Sequence, residues 1–67
     1  MIGKNIRKRR CELGMSQEDL ADKVGIIGRS YVSKIETGAL YPSIKTLKKI
    51  AKALNVDWTE LAKKGNE

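Results

Sequence analysis

Apolar residues recur along this chain at helical spacing in five short segments, and nowhere in the strict alternation that marks a strand. A first helix is predicted from Ile2 to Leu13, with Ile2, Ile6 and Leu13 on one face and Arg10 among them. Lys4, Arg7 and Lys8 face away, and Gly14 follows as the stop. A second helix opens at Ser16, an N-cap backed by Gln17, Glu18 and Asp19. Leu20, Ala21 and Val24 form its inward stripe, and Gly25 ends it after two turns. A third helix covers roughly Arg29 to Thr37, with Val32 and Ile35 inward and Ser30, Ser33, Lys34 and Thr37 on the opposite face. Gly38 is its stop. In the fourth, Pro42 precedes the cap Ser43, and Ile44, Leu47, Ile50, Ala51 and Leu54 make the core stripe. Lys45, Lys48, Lys49 and Lys52 take the other side, and Asn55 closes the helix. The fifth starts at Asp57, which stands at capping-box spacing from Glu60, and carries Trp58 and Leu61. The polar tail 63–67 is expected to fray.

The expected fold is therefore all-α, a compact bundle of five short helices. The chain has 67 residues, enough for one domain, expected to occupy 1–67 with its core over about 6–61. So short a chain leaves no room for a large catalytic cleft or an effector pocket.

Charge changes the picture more than length does. Fourteen Lys and Arg against eight Asp and Glu give a net charge of +6. That balance suits a polyanionic partner, nucleic acid before an acidic membrane surface. One cysteine, Cys11, and no histidine exclude an internal disulfide and a Cys/His metal cluster. Cys11 falls off the core stripe and has no second cysteine to resolve an oxidised form. No apolar run approaches the ~20 residues that span a bilayer. No apolar segment backs the N-terminal charges, so no signal peptide is expected. A reducing, cytoplasmic and nucleoid-associated setting is expected. No nucleophile–base pairing or phosphate-binding glycine loop is present, so neither an enzyme nor a cofactor is expected.

The second and third helices carry the functional signal. Each is about two turns long. Ala21 is small where the two must cross closely, and Gly25 allows the backbone to leave the helix with φ > 0. Ile26 or Ile27 can plug the turn, and Val32 and Ile35 anchor the third helix. The arrangement is a helix-turn-helix. It leaves a small, polar, acid-free face outward, suited to a major groove ~12 Å wide. Lys4, Arg7, Lys8 and Arg9 cluster on the outer side of the first helix, as phosphate contacts or as a solvated face. The lysines of the fourth helix read as solvated, with Lys45, near the helix start, as the best exception.

The stretches IRKRRCELGMSQEDLADKVG, SYVSKIETG and YPSIKTLKKIAKALNV resemble the Cro/cI-type helix-turn-helix domain, the lambda-repressor-like group of bacterial and phage regulators. The resemblance implies a transcriptional regulator, most often a repressor, on double-stranded DNA. Arg29, Ser30, Ser33 and Lys34 match positions that reach bases. Tyr31 and Thr37 match positions that touch sugar-phosphate. Gln17 matches a backbone-contacting glutamine that also braces the recognition helix. Ser43 lies where backbone N–H groups approach phosphate, as a helix N-terminus can, and Arg7 and Lys8 flank the groove. Arg10 and Glu36, both toward apolar faces, stand where the family places a structural ion pair. A homodimer on a palindromic site is implied, with Trp58, Leu40 and Tyr41 as candidate contacts and no membrane or small-molecule partner, although Trp58 reads first as core packing against the fourth helix.

One departure stands out. Between Gly25 and Val32 the chain has six residues where the family has five. Gly28 replaces the usual Ser or Thr cap, so Ser30 is the candidate cap and Arg29 would belong to the turn. A different class of function, an antitoxin or accessory protein-interaction module, uses the same fold. Partner binding unaffected by changes at Ser33 and Lys34 would mark that class.

Overall fold

The computed structural model describes residues 2–62, so the tail 63–67 lies outside the described residues. It contains α1 (Ile2–Glu12), α2 (Gln17–Val24), α3 (Ser30–Thr37), α4 (Ile44–Ala53) and α5 (Trp58–Ala62). No strand occurs among the described residues, and no helix there is long and apolar enough to cross a membrane. The main packing runs as a closed ring: α1 on α3, α3 on α2, α2 on α4, α4 on α5 and α5 back on α1. Inside the ring lie Ile2, Ile6, Leu20, Ala21, Val32, Ile35, Leu47, Ile50, Ala51, Leu54 and Leu61. Burying these side chains away from water is the main force holding the ring.

The first four helices stop by one device. Gly14, Gly25, Gly38 and Asn55 each take a left-handed conformation just past the helix. The next residue then reaches back: Met15 N–H to Arg10 O, Ile26 to Ala21, Ala39 to Lys34 and Val56 to Ala51, at 2.8–3.0 Å. This Schellman arrangement satisfies carbonyls that a helix end leaves unpaired. Met15, Ile26 and Val56 also lay their side chains against the core, so three of the four stops double as packing contacts.

Entry into α2 and α4 depends on side chains. Ser16 Oγ accepts from the Asp19 N–H at 2.9 Å, and Asp19 Oδ2 accepts from the Ser16 N–H at 2.9 Å. This is a reciprocal capping box. Ser43 Oγ accepts from the Thr46 N–H at 3.2 Å. Ahead of α5, Asp57 Oδ1 accepts from the Thr59 N–H at 3.2 Å, one residue short of the position that capping-box spacing predicts.

Three expectations are corrected. Leu13 lies beyond the end of α1 and is 42% exposed. Its helical phase is inward, but the chain has already begun to turn at Gly14. Ile44 is 54% exposed rather than part of the core stripe. It stands about 70° from the centre of that stripe, at the edge of the apolar face. The third helix begins at Ser30, not Arg29. Arg29 occupies the N-cap position without a side-chain cap bond, and its carbonyl accepts the first helical hydrogen bond from Ser33. Ser30 is therefore helical and not the cap.

Candidate nucleic-acid interface

The placement of α3 begins with two side chains. Val32 and Ile35, each 2% exposed, fix which way the helix rolls. The opposite side then carries Ser30, Lys34 and Thr37, all exposed, with Ser33 half-buried at its edge. Tyr31 is half-buried and packs against the core, while Arg29 stands exposed ahead of the helix.

A polar clamp fixes how the helix slides. Arg10 Nε donates to Glu36 Oε2 at 2.6 Å and Nη2 to Glu36 Oε1 at 3.0 Å, a two-pronged ion pair between α1 and α3. Arg10 Nη1 donates to the Met15 carbonyl at 2.7 Å. Gln17 Nε2 donates to Glu36 Oε1 at 3.1 Å, which ties α2 into the same cluster. The Glu36 side chain is 3% exposed, and no buried side-chain polar atom among the described residues lacks a partner. The hydrogen bond to Glu36 holds the Arg10 guanidinium above its ordinary range, against the opposing effect of burial. Glu36 is the one acidic residue of α3, and its charge is turned inward and neutralised. The outward face therefore presents no anion.

The basic residues of α1 divide into two groups. Lys4, Arg7 and Lys8 are exposed. Arg9 belongs to the scaffold, donating from Nε to the Leu54 carbonyl at 3.0 Å and pairing with Glu12 at 3.3 Å. Its grouping with the outer cluster is corrected accordingly. At the start of α4, the Ser43 hydroxyl is occupied with Thr46, so the backbone N–H groups of the first turn are what that end offers an anion. Trp58 is half-buried against the core with Lys48 Nζ 5.7 Å from its ring centroid, within cation–π range. Leu40 also packs on the core, whereas Tyr41 is 80% exposed. Cys11 is exposed.

Two short helices are thus joined by a glycine-stopped turn, and the second is clamped from behind with its outer face free. The helix-turn-helix family model matches residues 6–61. The chain belongs to the helix-turn-helix family. This helix-turn-helix protein is similar to the uncharacterized HTH-type transcriptional regulator YqaF of Bacillus subtilis (strain 168), 44% identical over 59 residues, which are 88% of this chain and 76% of YqaF. It is similar also to SlrR of the same organism, 45% identical over 62 residues; they are 91% of this chain but 40% of SlrR. Among solved structures it superposes on SinR, the master regulator for biofilm formation, in complex with DNA. There the TM-score is 0.86 at 39% identity, covering 94% of this chain and all of that one. The restriction-modification controller protein C.AhdI from Aeromonas hydrophila gives a TM-score of 0.84 at 38% identity, covering 90% and 89%.

Two residues of this helix-turn-helix protein, Gly3 and Asn5, escaped the sequence reading, and the scaffold role of a third, Arg9, was missed. Gly3 sits where α1 meets the last turn of α3. A methyl group there would run into the Ile35 carbonyl oxygen and lie 2.8 Å from that of Glu36. Asn5 Nδ2 donates to the Leu61 carbonyl at 2.8 Å, and Arg9 holds Leu54 in the same way. One helix thus abuts or binds the carbonyl ends of three others. The usable signal was Gly3, a poor helix former inside a predicted helix.

Proposed function

We propose that the chain is a sequence-specific double-stranded DNA-binding transcriptional repressor that inserts α3 into the major groove. It acts as a homodimer on a palindromic operator with half-sites ~10 bp apart. The observation that carries this reading is the free face of α3: polar, acid-free and held rigid by the Arg10–Glu36–Gln17 clamp. Arg29, Ser30, Ser33 and Lys34 read bases. Gln17, Tyr31, Thr37, Ser43, Arg7 and Lys8 hold the sugar-phosphate backbone. Thr37 Oγ1 donates to the Lys34 carbonyl at 3.2 Å, so it turns outward when it meets phosphate. Tyr41, Leu40 and Trp58 contribute to the subunit contact. The regulators named above support the regulatory role, as does the SinR complex with DNA.

Selection of bound sites from random duplex DNA at fixed salt tests the reading. A palindromic preference is expected, with log affinity falling by about 0.9 per neutralised phosphate for each unit of log salt. No sequence preference, or a salt slope near zero, would overturn it.

A further inference from the structure

The turn between α2 and α3 holds two isoleucines, and the fold uses one. Ile26 closes the Schellman stop of α2, with its N–H on Ala21 O at 2.8 Å and its side chain against the core. Ile27 is 100% exposed. It precedes Gly28, whose φ of +79° carries the chain to Arg29 and the start of α3. Nothing lies within 4 Å of the point where a Gly28 side chain would start, so the turn is open in front. This is the turn that runs one residue longer than the family pattern. Ile27 therefore stands at the free end of α3, beside Arg29 and Ser30, with no acid between Gly25 and Ser30.

We propose that Ile27 is a specificity residue that packs on the C5 methyl of a thymine in the major groove, just ahead of the bases met by α3. The inference rests on the DNA-binding reading above. A wholly solvated isoleucine gains little from a phosphate or a polar base edge. The thymine methyl is the apolar feature of the major groove, and apolar side chains are its natural partners. The longer turn brings the side chain there, and Ile26 frees it from any duty in the core.

The test uses the full chain on its selected operator at fixed salt. Each thymine is replaced in turn by deoxyuridine, which removes only the methyl, and wild type is compared with Ile27→Ala. At one thymine per half-site, methyl removal should weaken wild-type binding about fourfold, the size expected for one buried methyl group. Ile27→Ala, which removes the contact in both half-sites, should weaken binding about sixteenfold, lose sensitivity at that thymine alone, and melt at the wild-type temperature. Ile27→Ala that binds as wild type does, or keeps the methyl sensitivity at every position, overturns the proposal while the DNA-binding reading stands. A wild-type chain with no sequence preference removes both.

Discussion

At its C-terminal end, α3 is enclosed. Gly3 of α1 lies against its last carbonyls, Glu36 is clamped by Arg10 and Gln17, and Gly38 and Ala39 close the helix by hydrogen bonds to Ile35 and Lys34. At its N-terminal end the same helix has no side-chain cap, and Arg29, Ser30 and the Ile27 ahead of them are exposed. A short helix held firmly at one end can leave the other end bare and still keep its orientation. The base-reading role proposed for α3 would need such rigidity, and the structure supplies it from behind, away from the free face.

If the enclosed end supplies the rigidity, damage there should remove fold and binding together. Glu36→Ala leaves Arg10 and Gln17 facing an emptied buried site. Truncating one member of a buried ion pair costs about 3–5 kcal/mol. A chain of this length has roughly 3–10 kcal/mol in all. Urea unfolding followed by circular dichroism should show the variant's unfolding free energy at 25 °C cut by about 3–5 kcal/mol, a third or more of the total. Pairing Arg10→Met with Glu36→Leu should recover part of the loss, because the Met15 carbonyl and Gln17 Nε2 still lose their partners.

Gly3→Ala attacks the same end through sterics alone. The added methyl meets backbone carbonyls that cannot rotate away, so α1 and α3 must separate. Overpacking of this kind costs about 1–3 kcal/mol. The urea midpoint should fall accordingly, although alanine is the better helix former. An unchanged midpoint would mean that the contact between α1 and α3 is looser than its geometry indicates.

The asymmetry between the ends also explains how much of the molecule was legible from sequence. The helices, their glycine and asparagine stops and the inward roll of α3 follow from local periodicity and capping, which short stretches of sequence encode fully. The Arg10–Glu36 pairing came from phase plus resemblance, since two charges on apolar faces have to find each other. The tertiary uses of Gly3, Asn5 and Arg9 were not legible, because each depends on which carbonyl end α1 meets after the ring closes. Leu13 and Ile44 misled for a related reason: periodicity states which way a side chain faces, not whether a neighbour is there to cover it. The choice between Ile26 and Ile27 as plug was likewise settled by the path of the chain beyond Gly25.

At the open end the comparison predicts the reverse pattern, binding lost with the fold intact. Lys34→Ala removes an exposed side chain, so its unfolding free energy should stay within about 0.5 kcal/mol of wild type. Operator affinity should drop by about 1–3 kcal/mol with relaxed preference at one base pair if Lys34 reads a base. A uniform loss with the salt slope reduced by about 1 per subunit, about 2 for the dimer, would reassign it to phosphate. Titration of labelled operator at two salt concentrations separates the two outcomes.

The smallest effect expected lies at the entrance to α2, which carries Gln17 to the clamp. Hydrogen bonding by the Ser16 backbone N–H, and then by its side chain, holds the Asp19 carboxylate below the usual aspartate range. A carboxyl with a depressed folded-state pKa stabilises the fold above its unfolded value, and that contribution disappears as pH falls through the folded one. Asp19→Asn keeps an oxygen acceptor for Ser16 but removes the titration. Wild type should therefore melt slightly higher than Asp19→Asn at neutral pH. The gap should close on acidification through and below the aspartate range, while the other carboxylates cancel between the two proteins. Thermal midpoints measured for both chains from neutral pH down to about pH 2 would show it. A gap that stays constant would mean that the Asp19 charge adds nothing, and that hydrogen-bond geometry alone sets the start of α2.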